Sequence, residues 1–248
     1  MKPTEDQKKL LYHWNCAHRG LHTQDKSVPE NSLAAFRAAK EAGYGAELDV
    51  QLSKDGQVVV FHDDTLDRVC GVHGRVDEFD YEELKKMSLC NTDQTIPLFT
   101  EVLDAFYGGG PLIVELKTGP KNDELCEKTY EILKGYKGDF CIESFNPFIV
   151  RWFYKHAPEI IRGQLSSTYK DMCESQSKPV AFLLSRCVFS VLNHPHFIAY
   201  LNEKRPWLVR RQFKSGTMSV AWTSRVPDVD QKINDVVIFE FYRPDVRY

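Results

Sequence analysis

Seven positions in the first half of the chain carry side chains that could act together on a charged substrate: His18, Arg19, Glu47, Asp49, His62, Glu115 and Lys117. Two histidines that titrate near neutral pH can exchange protons with a substrate. Arginine is a fixed cation whose planar fork matches a phosphate or a carboxylate. These residue types suggest acid and base catalysis on a bound anion, provided that the chain folds so that the side chains meet.

The motifs "ELD" and "ELK" each place two charged residues two positions apart. Because residues i and i+2 of a strand point to the same face, Glu47 should lie beside Asp49, and Glu115 beside Lys117. The apolar residues around them predict burial, and buried carboxylates repel one another unless a cation or a proton compensates. Three carboxylates from two strands therefore predict a site for Mg²⁺ or Ca²⁺, which prefer oxygen ligands. A structural ion pair of Glu115 with Lys117 alone is the alternative.

A phosphodiester fits this set of groups. Arg19 and the metal can neutralise the non-bridging oxygens of the phosphate. His18 and His62 can then exchange protons with the nucleophile and the leaving group. Lys117 is a further candidate ligand for the substrate. The predicted chemistry is cleavage of a phosphodiester, in which Arg19 holds the phosphate and the adjacent histidine acts on it.

Strands alternate with helices along most of the chain, and turn residues mark the changes. "PENSLAAFRAAKEAGYG" predicts a helix that begins at Asn31 or Ser32 and ends at Gly43. "SKDG" predicts a tight turn between two strands, and "DYEELKKM" predicts a helix that starts with a capping box. "PLIVELK", "FCIESF" and "IIRGQLS" predict buried strands, separated by helices over residues 123–133 and 147–156. This alternation is typical of parallel βαβ units.

Six or more such units in 248 residues, without a linker or a shift in composition, favour a (β/α)8 TIM barrel of the α/β class. We therefore expect residues 1–248 to form a single domain, with a small insertion after the second or third strand. A doubly wound sheet is the alternative. The stretch "PVAFLLSRCVFSVL", residues 179–192, is predicted as one helix and one strand, in either order.

The composition limits the partners and the location of the protein. A net charge of -3 gives no overall attraction to nucleic acid or to an anionic membrane. The chain lacks a run of about 18 apolar residues, an apolar export segment and an evident membrane-docking loop, so we expect no stable membrane insertion. Seven cysteines scattered without a CxxC pair indicate reduced thiols in a cytoplasmic protein. The sequence leaves the oligomeric state open.

Several motifs occur in an order that resembles a known family. They are "AHRG", "PENSLAAF", "ELDVQLSKDGQVVVFHDDTLDR", "IPLFTEVLDAF" and "IVELK", with weaker matches at "IESFNP" and "VAWT". In order and spacing they resemble the motifs of the glycerophosphodiester phosphodiesterases. The resemblance implies a TIM barrel and a divalent cation held by Glu47, Asp49 and Glu115. It also implies acid and base roles for His18 and His62.

Other positions allow two interpretations. Trp222, near a strand end, either fills the core or stacks on the glycerol moiety as a substrate ligand. Glu30 and Asn31 either cap a helix or contact the site. The family ends its last strand in threonine and aspartate, whereas "DVVIFEFYRPD" in this chain predicts Glu240 or Tyr242 at that place.

The predicted function is metal-dependent hydrolysis of a small glycerophosphodiester to glycerol 3-phosphate and an alcohol, with His18 and His62 as acid and base. Such a reaction belongs to lipid and glycerol metabolism. Two alternatives share the barrel: a phospholipase that resembles sphingomyelinase D, and a barrel that binds phosphodiesters without cleaving them. The loops after the strands set the head-group specificity of such barrels, and they are the segments whose structure the sequence predicts least.

Overall fold

Strands alternate with helices throughout the computed structural model, which describes residues 2–201, 205–225 and 231–248. The strands are β1 (Asn15–Ala17), β2 (Gly45–Leu52), β3 (Val58–Val60), β4 (Leu112–Leu116), β5 (Phe140–Ser144), β6 (Arg162–Ser166), β7 (Phe197–Leu201), β8 (Met218–Ser224) and β9 (Val236–Phe239). The helices are α1 (Glu5–Leu11), α2 (Leu33–Glu41), α3 (Asp67–Cys70), α4 (Tyr81–Leu84), α5 (Phe99–Phe106), α6 (Asn122–Gly135), α7 (Pro147–His156), α8 (Tyr169–Ser175), α9 (Lys178–Leu184), α10 (Ser190–Asn193) and α11 (Trp207–Lys214). The alternation is that of an α/β fold.

The chain forms two compact units. The amino-terminal unit comprises Cys16–Phe140, and the carboxyl-terminal unit comprises Met1–Asn15 together with Cys141–Tyr248. That residues 1–248 act as a single domain stays a prediction. Among the described residues, no helix has both the length and the apolar character needed to cross a membrane.

β2 is the central strand of the amino-terminal unit. It pairs in parallel with β1 and β4, and antiparallel with β3. In the pairing with β4, Asp49 lies directly opposite Glu115, and Glu47 lies opposite Ile113. Every residue of β2 except Gln51 is buried, as expected of a parallel strand that is covered on both faces. The carboxylates predicted to act together therefore occupy neighbouring positions on adjacent strands.

The predicted insertion lies after the second strand. The chain turns back at "SKDG" into β3, and then passes through α3, a short 3-10 turn and α4 before it reaches α5 and β4. The insertion has its own apolar core, in which Phe61, Leu66 and Leu84 are at most 2% exposed. This packing fixes the segment that carries His62.

The carboxyl-terminal unit contains a run of parallel strands. β6 pairs with β5 and β7, and β8 pairs with β7 and β9. Gly163 of β6 leaves room for the ring of Phe197 on β7, because a Cβ atom at this glycine would lie 2.0 Å from the ring. The long connection between β6 and β7 carries α8, α9 and α10.

Local capping sets most of the helix boundaries. α2 begins after Ser32, whose hydroxyl accepts a hydrogen bond from the Ala35 amide at 3.1 Å. Gly43 follows its end with a φ of 81°, as predicted for the stop residue. α7 covers 147–156 as predicted. α4 has the predicted capping box but spans only four residues, so it is shorter than "DYEELKKM" suggested.

The prediction for residues 179–192 is wrong, because they form α9 and α10 and contain no strand. Pro179 lies in the first turn of α9, where its fixed φ suits a helix. The apolar composition suggested a segment buried in the sheet. Phe182, Leu183 and Val191 are instead exposed on the helix surfaces.

Gly20 allows the loop after β1 to pass close to α2. Its φ of 75° lies in the left-handed region, which favours glycine. A Cβ atom there would lie 2.8 Å from the Ala35 Cβ and 2.9 Å from the Ala35 carbonyl carbon. The Leu21 amide donates a hydrogen bond to the Ala35 oxygen at 2.9 Å. This close approach positions the adjacent His18 and Arg19.

We predict that Gly20→Ala lowers the free energy of unfolding by about 2–4 kcal/mol, through left-handed strain and overpacking together. Gly71→Ala is the matched control, because Gly71 has a φ of 66° but no atom within 4 Å of an added Cβ. The control should lose only the strain contribution of about 1–2 kcal/mol. Urea unfolding of both variants measures the difference, and equal losses would contradict the close approach.

Candidate active site

Three buried carboxylates form a compact cluster in the amino-terminal unit. Oxygen atoms of Glu47, Asp49 and Glu115 lie within 4.8 Å of one another. The three residues are 2%, 0% and 7% exposed. Neighbouring strands lie about 4.8 Å apart, so the register of β2 with β4 accounts for this separation. The structure thus brings together the three residues predicted as metal ligands.

The cluster has the properties of a site for a hard divalent cation. Asn31 Oδ1 is buried and accepts no hydrogen bond from the described residues, and buried Asp49 Oδ1 accepts none either, although Lys117 Nζ lies 3.4 Å from it. An unsatisfied buried acceptor is costly, and a cation bound beside it would remove that cost. Carboxylate and amide oxygens are the ligands that Mg²⁺ and Ca²⁺ prefer. The residues present therefore fit the divalent cation that the motifs imply.

Lys117 and Arg19 compensate part of the negative charge. Lys117 Nζ lies 3.0 Å from Glu115 Oε1 and 3.4 Å from Asp49 Oδ1. Arg19 Nε lies 3.6 Å from Asp49 Oδ2. The alternative ion pair of Glu115 with Lys117 therefore exists, but as one part of the cluster.

The two facing carboxylates respond differently to this environment. Burial raises the pKa of Glu115 and the charge of Asp49 adds to the effect, and together they outweigh the lowering by Lys117 and His62. Burial also opposes the ionisation of Asp49. The positive charges of His62, Lys117 and Arg19 outweigh it, however, so the pKa of Asp49 is lowered. Asp49 is thus the carboxylate most firmly held in its charged form.

His18 and Arg19 follow β1 and face Glu47. His18 Nε2 lies 3.9 Å from Glu47 Oε2, and the Arg19 amide donates to the same oxygen at 2.9 Å. Arg19 has a φ of 52°, which is uncommon for a residue with a Cβ atom. The Asn31 amide donates to the Arg19 carbonyl at 2.9 Å. These contacts on both sides of the turn fix the directions of the imidazole and the guanidinium.

His62 is brought to the cluster by the hairpin between β2 and β3. The Phe61 amide donates to the Asp49 carbonyl at 3.0 Å, so His62 leaves the hairpin beside the buried carboxylates. His62 Nδ1 lies 2.6 Å from Asp63 Oδ1. The pKa of Asp63 is lowered, because hydrogen bonds from His62 and Arg68 outweigh its burial. An ionised Asp63 favours the His62 tautomer with a proton on Nδ1, so Nε2 is the ring nitrogen left for another partner.

A chain of alternating charges connects His62 with Arg19. Arg68 donates to Asp63 Oδ2 at 2.6 Å and to Glu30 Oε2 at 2.8 Å. Glu30 Oε1 in turn accepts from Arg19 Nη1 at 2.7 Å. Burial opposes the ionisation of Glu30, but the two arginines outweigh it and lower its pKa to about 2. The network joins the two histidine-bearing segments through fixed charge pairs.

The network also shows what Glu30 and Asn31 contact, which the sequence left open. Glu30 contacts both arginines, whereas Ser32 supplies the helix cap. Asn31 Nδ2 donates to Asp49 Oδ2 at 2.9 Å. Sequence reasoning missed Asp63 and Arg68 as site residues. Their spacing in "HDDTLDR" was visible, but nothing in the sequence indicates that Arg68 meets a glutamate 38 positions earlier.

Trp222, Glu240 and Tyr242 belong to the carboxyl-terminal unit. The Trp222 indole donates to the Ser166 carbonyl at 3.0 Å and to the Ala199 carbonyl at 3.2 Å, which gives it a packing role within that unit. A role of Trp222 as a substrate ligand stays a prediction. Glu240 directly follows β9, is 7% exposed and accepts from the Arg225 guanidinium at 2.6 Å.

Solved structures share this fold. A phosphodiesterase of Oleispira antarctica, solved in complex with the product sn-glycerol-3-phosphate, matches 92% of this chain and 93% of its own, with a TM-score of 0.74 and 25% identity. A glycerophosphodiester phosphodiesterase of Thermotoga maritima matches 90% of this chain and 92% of its own, with a TM-score of 0.68 and 27% identity. The fold is the predicted (β/α)8 TIM barrel.

The chain belongs to the glycerophosphoryl diester phosphodiesterase family, whose sequence pattern matches residues 18–238. It is 33% identical over 229 residues to a glycerophosphodiester phosphodiesterase of Caldanaerobacter subterraneus subsp. tengcongensis, and the match covers 88% of each chain. The family predicted from the motifs is therefore confirmed, and with it the class of enzyme.

We predict that Arg68→Met lowers kcat by about 10- to 100-fold while KM changes little, because Asp63 then no longer holds His62 in one orientation. Arg68→Lys should recover part of the loss. Arg75→Met is the matched control, since Arg75 also pairs with two carboxylates and the two arginines are 44% and 45% exposed. Steady-state kinetics of the three variants test the network, and wild-type kcat in Arg68→Met would contradict it.

Proposed function

We propose that this chain hydrolyses glycerophosphodiesters to sn-glycerol 3-phosphate and a free alcohol, with the help of a divalent cation. The observation that carries the proposal is the cluster of Glu47, Asp49 and Glu115, whose oxygens lie within 4.8 Å of one another beside two cations. His18 Nε2 lies 3.9 Å from Glu47 Oε2, and the residue before His62 binds the Asp49 backbone, so both histidine-bearing segments lie beside the cluster. The relative solved with sn-glycerol-3-phosphate supports the same product for this chain.

The three carboxylates are the residues that would hold the cation, and their oxygen donors support Mg²⁺ or Ca²⁺. When bound, the cation would offset the buried negative charge and polarise a non-bridging phosphate oxygen as a Lewis acid. Lys117 lies against Glu115 and Asp49, so we propose that it shares this compensation and contacts the substrate phosphate. The resulting site is cationic toward an anionic diester.

Arg19 is proposed to grip the phosphate. Its Nη1 is held by Glu30 at 2.7 Å, and its buried Nε lies 3.6 Å from Asp49 Oδ2 without a hydrogen bond to the described residues. A planar guanidinium that is anchored at one nitrogen presents the others in a fixed direction, which favours two-point contact with a phosphate. Arg19 thereby sets the position of the phosphorus atom relative to the histidines.

The histidines are proposed to divide the proton transfers. His18, beside Glu47, takes the proton of the nucleophile, and His62, whose Nδ1 is held by Asp63, gives the Nε2 proton to the leaving oxygen. The nucleophile is either water or the adjacent hydroxyl of the glycerol moiety, where intramolecular attack gains effective molarity. Phosphorus NMR during turnover distinguishes the two, since only the second gives a cyclic phosphate.

We further propose that residues 1–248 act as one domain in the cytoplasm, within glycerol and lipid metabolism. The seven cysteines, scattered along the sequence without a CxxC pair, support a reducing compartment. The net charge of -3 supports a small-molecule substrate over nucleic acid.

We predict that His18→Ala and His62→Ala each lower the release of sn-glycerol 3-phosphate from glycerophosphocholine by about 10²- to 10⁴-fold, with the fold intact. A p-nitrophenyl ester needs little proton donation, so it should largely rescue His62→Ala and leave His18→Ala inactive. His73→Ala is the control, because its side chain is 97% exposed.

A coupled assay for sn-glycerol 3-phosphate and the absorbance of p-nitrophenol measure the two reactions. Equal rescue of both histidine variants would contradict the division of roles. Binding of glycerophosphocholine by the wild-type protein without product release, in Mg²⁺ or Ca²⁺, would contradict the enzymatic function. Faster turnover of an intact phospholipid would instead place the protein with the phospholipases.

A further inference from the structure

The carboxyl-terminal unit exposes large apolar side chains on α7, α9 and α10. We call this set the apolar face; it consists of Phe148, Phe182, Leu183, Val191 and Leu192. Val191 is 72% exposed and Phe148 is 65% exposed. Isolated apolar residues on a surface are common, but a contiguous group on one surface marks a site of interaction.

Contacts between the helices show that these residues belong together. The Phe148 ring on α7 lies 6.2 Å from the ring of Phe189, which directly precedes α10. Arg151 of α7 donates to the Leu192 carbonyl at 3.1 Å. The chain folds back from α9, where the Val188 amide donates to the Leu183 carbonyl at 3.2 Å. α7 and α10 therefore pack together, and Arg186, which lies over the Phe182 ring and lines one groove with Val191, connects α9 to them.

The stretch of sequence that carries the apolar face is rich in positive charge, although the whole chain is acidic. Residues 147–216 contain eleven lysines and arginines against four acidic residues, an excess of seven positive charges in a chain of net charge -3. The Arg186 guanidinium lies 3.6 Å from the centre of the Phe182 ring, so cation and apolar surface are in direct contact. Such a mixture lets arginine stems cover apolar groups while their charges face outward.

A groove beside α10 has the same mixed character. It has a volume of about 390 Å³, and its lining includes Val191 and Leu208 between Arg186 and Arg211. Trp207, on the first turn of α11, is 60% exposed. The Arg211 guanidinium lies 5.5 Å from the centre of its ring. A lining that combines apolar side chains with two arginines is complementary to an acyl chain and an anionic head group.

We propose that the apolar face and its cationic surroundings dock the protein on an anionic lipid surface. Exposed aromatic and aliphatic side chains enter the boundary between head groups and acyl chains, and each nearby lysine or arginine adds electrostatic attraction to anionic lipid. A second copy of this chain would bring two strongly positive surfaces together. A nucleic acid would leave the apolar side chains without partners. The docking adds to the proposed function and does not depend on it.

The experiment is flotation of the full chain with vesicles of phosphatidylcholine alone, or of equal parts phosphatidylcholine and phosphatidylglycerol. The protein should float with the anionic vesicles only, and high salt should release it. Phe182→Ser combined with Val191→Ser, and Arg186→Ser combined with Arg211→Ser, should each weaken binding by about tenfold or more. Turnover of soluble glycerophosphocholine and the thermal midpoint should stay at the wild-type level.

The matched control combines Tyr107→Ser with Ile233→Ser, because these residues are 55% and 60% exposed but lie outside the apolar face. It should bind anionic vesicles as the wild type does. Three results would overturn the proposal: no binding to anionic vesicles, equal binding to neutral ones, or equal losses in the control and the apolar variant. Sedimentation velocity that shows a dimer lost in the apolar variant would assign the face to a second copy instead.

Discussion

The constraint on which this structure depends is the mutual repulsion of three carboxylates buried side by side. The register of β2 with β4 places Asp49 opposite Glu115, and the alternation of the strand adds Glu47 on the same face. Buried charges of one sign are unstable without compensation. Lys117 and Arg19 provide part of it, and the raised pKa of Glu115 shows that they do not provide all of it.

From the carboxylate cluster outward, positively and negatively charged side chains alternate, so that each charge has a neighbour of opposite sign. Arg19 forms ion pairs with Asp49 and with Glu30. Glu30 also pairs with Arg68, and Arg68 pairs with Asp63. Each ion pair lowers the free energy needed to bury the neighbouring charge. The side chains therefore fix one another's rotamers. The same pairs that satisfy buried charge also fix the direction of the guanidinium and the tautomer of the second histidine. Stability and catalytic geometry thus have one physical origin.

The sequence predicted the centre of the site because strand geometry is strictly periodic. "ELD" and "ELK" place side chains on one face whatever the loops do, so spacing alone groups Glu47 with Asp49 and Glu115 with Lys117. The register of β2 with β4 then brings the two pairs together. The helix that begins after Ser32 was also predictable, because its cap depends only on residues close in sequence. The pairing of Glu30 with Arg68 was not predictable, because it depends on how the insertion packs. Residues 179–192 were misread because exposed apolar side chains look like buried ones in a sequence.

We infer that the carboxylate cluster binds a divalent cation that the substrate shares. The most direct measurement is a crystal structure of the protein soaked with Ca²⁺ and sn-glycerol 3-phosphate. We predict one cation within about 2.3–2.6 Å of oxygens from Glu47, Asp49 and Glu115, with a phosphate oxygen beside it and Arg19 on the phosphate. A structure with the phosphate bound elsewhere, or with Lys117 alone between the carboxylates, would contradict the account.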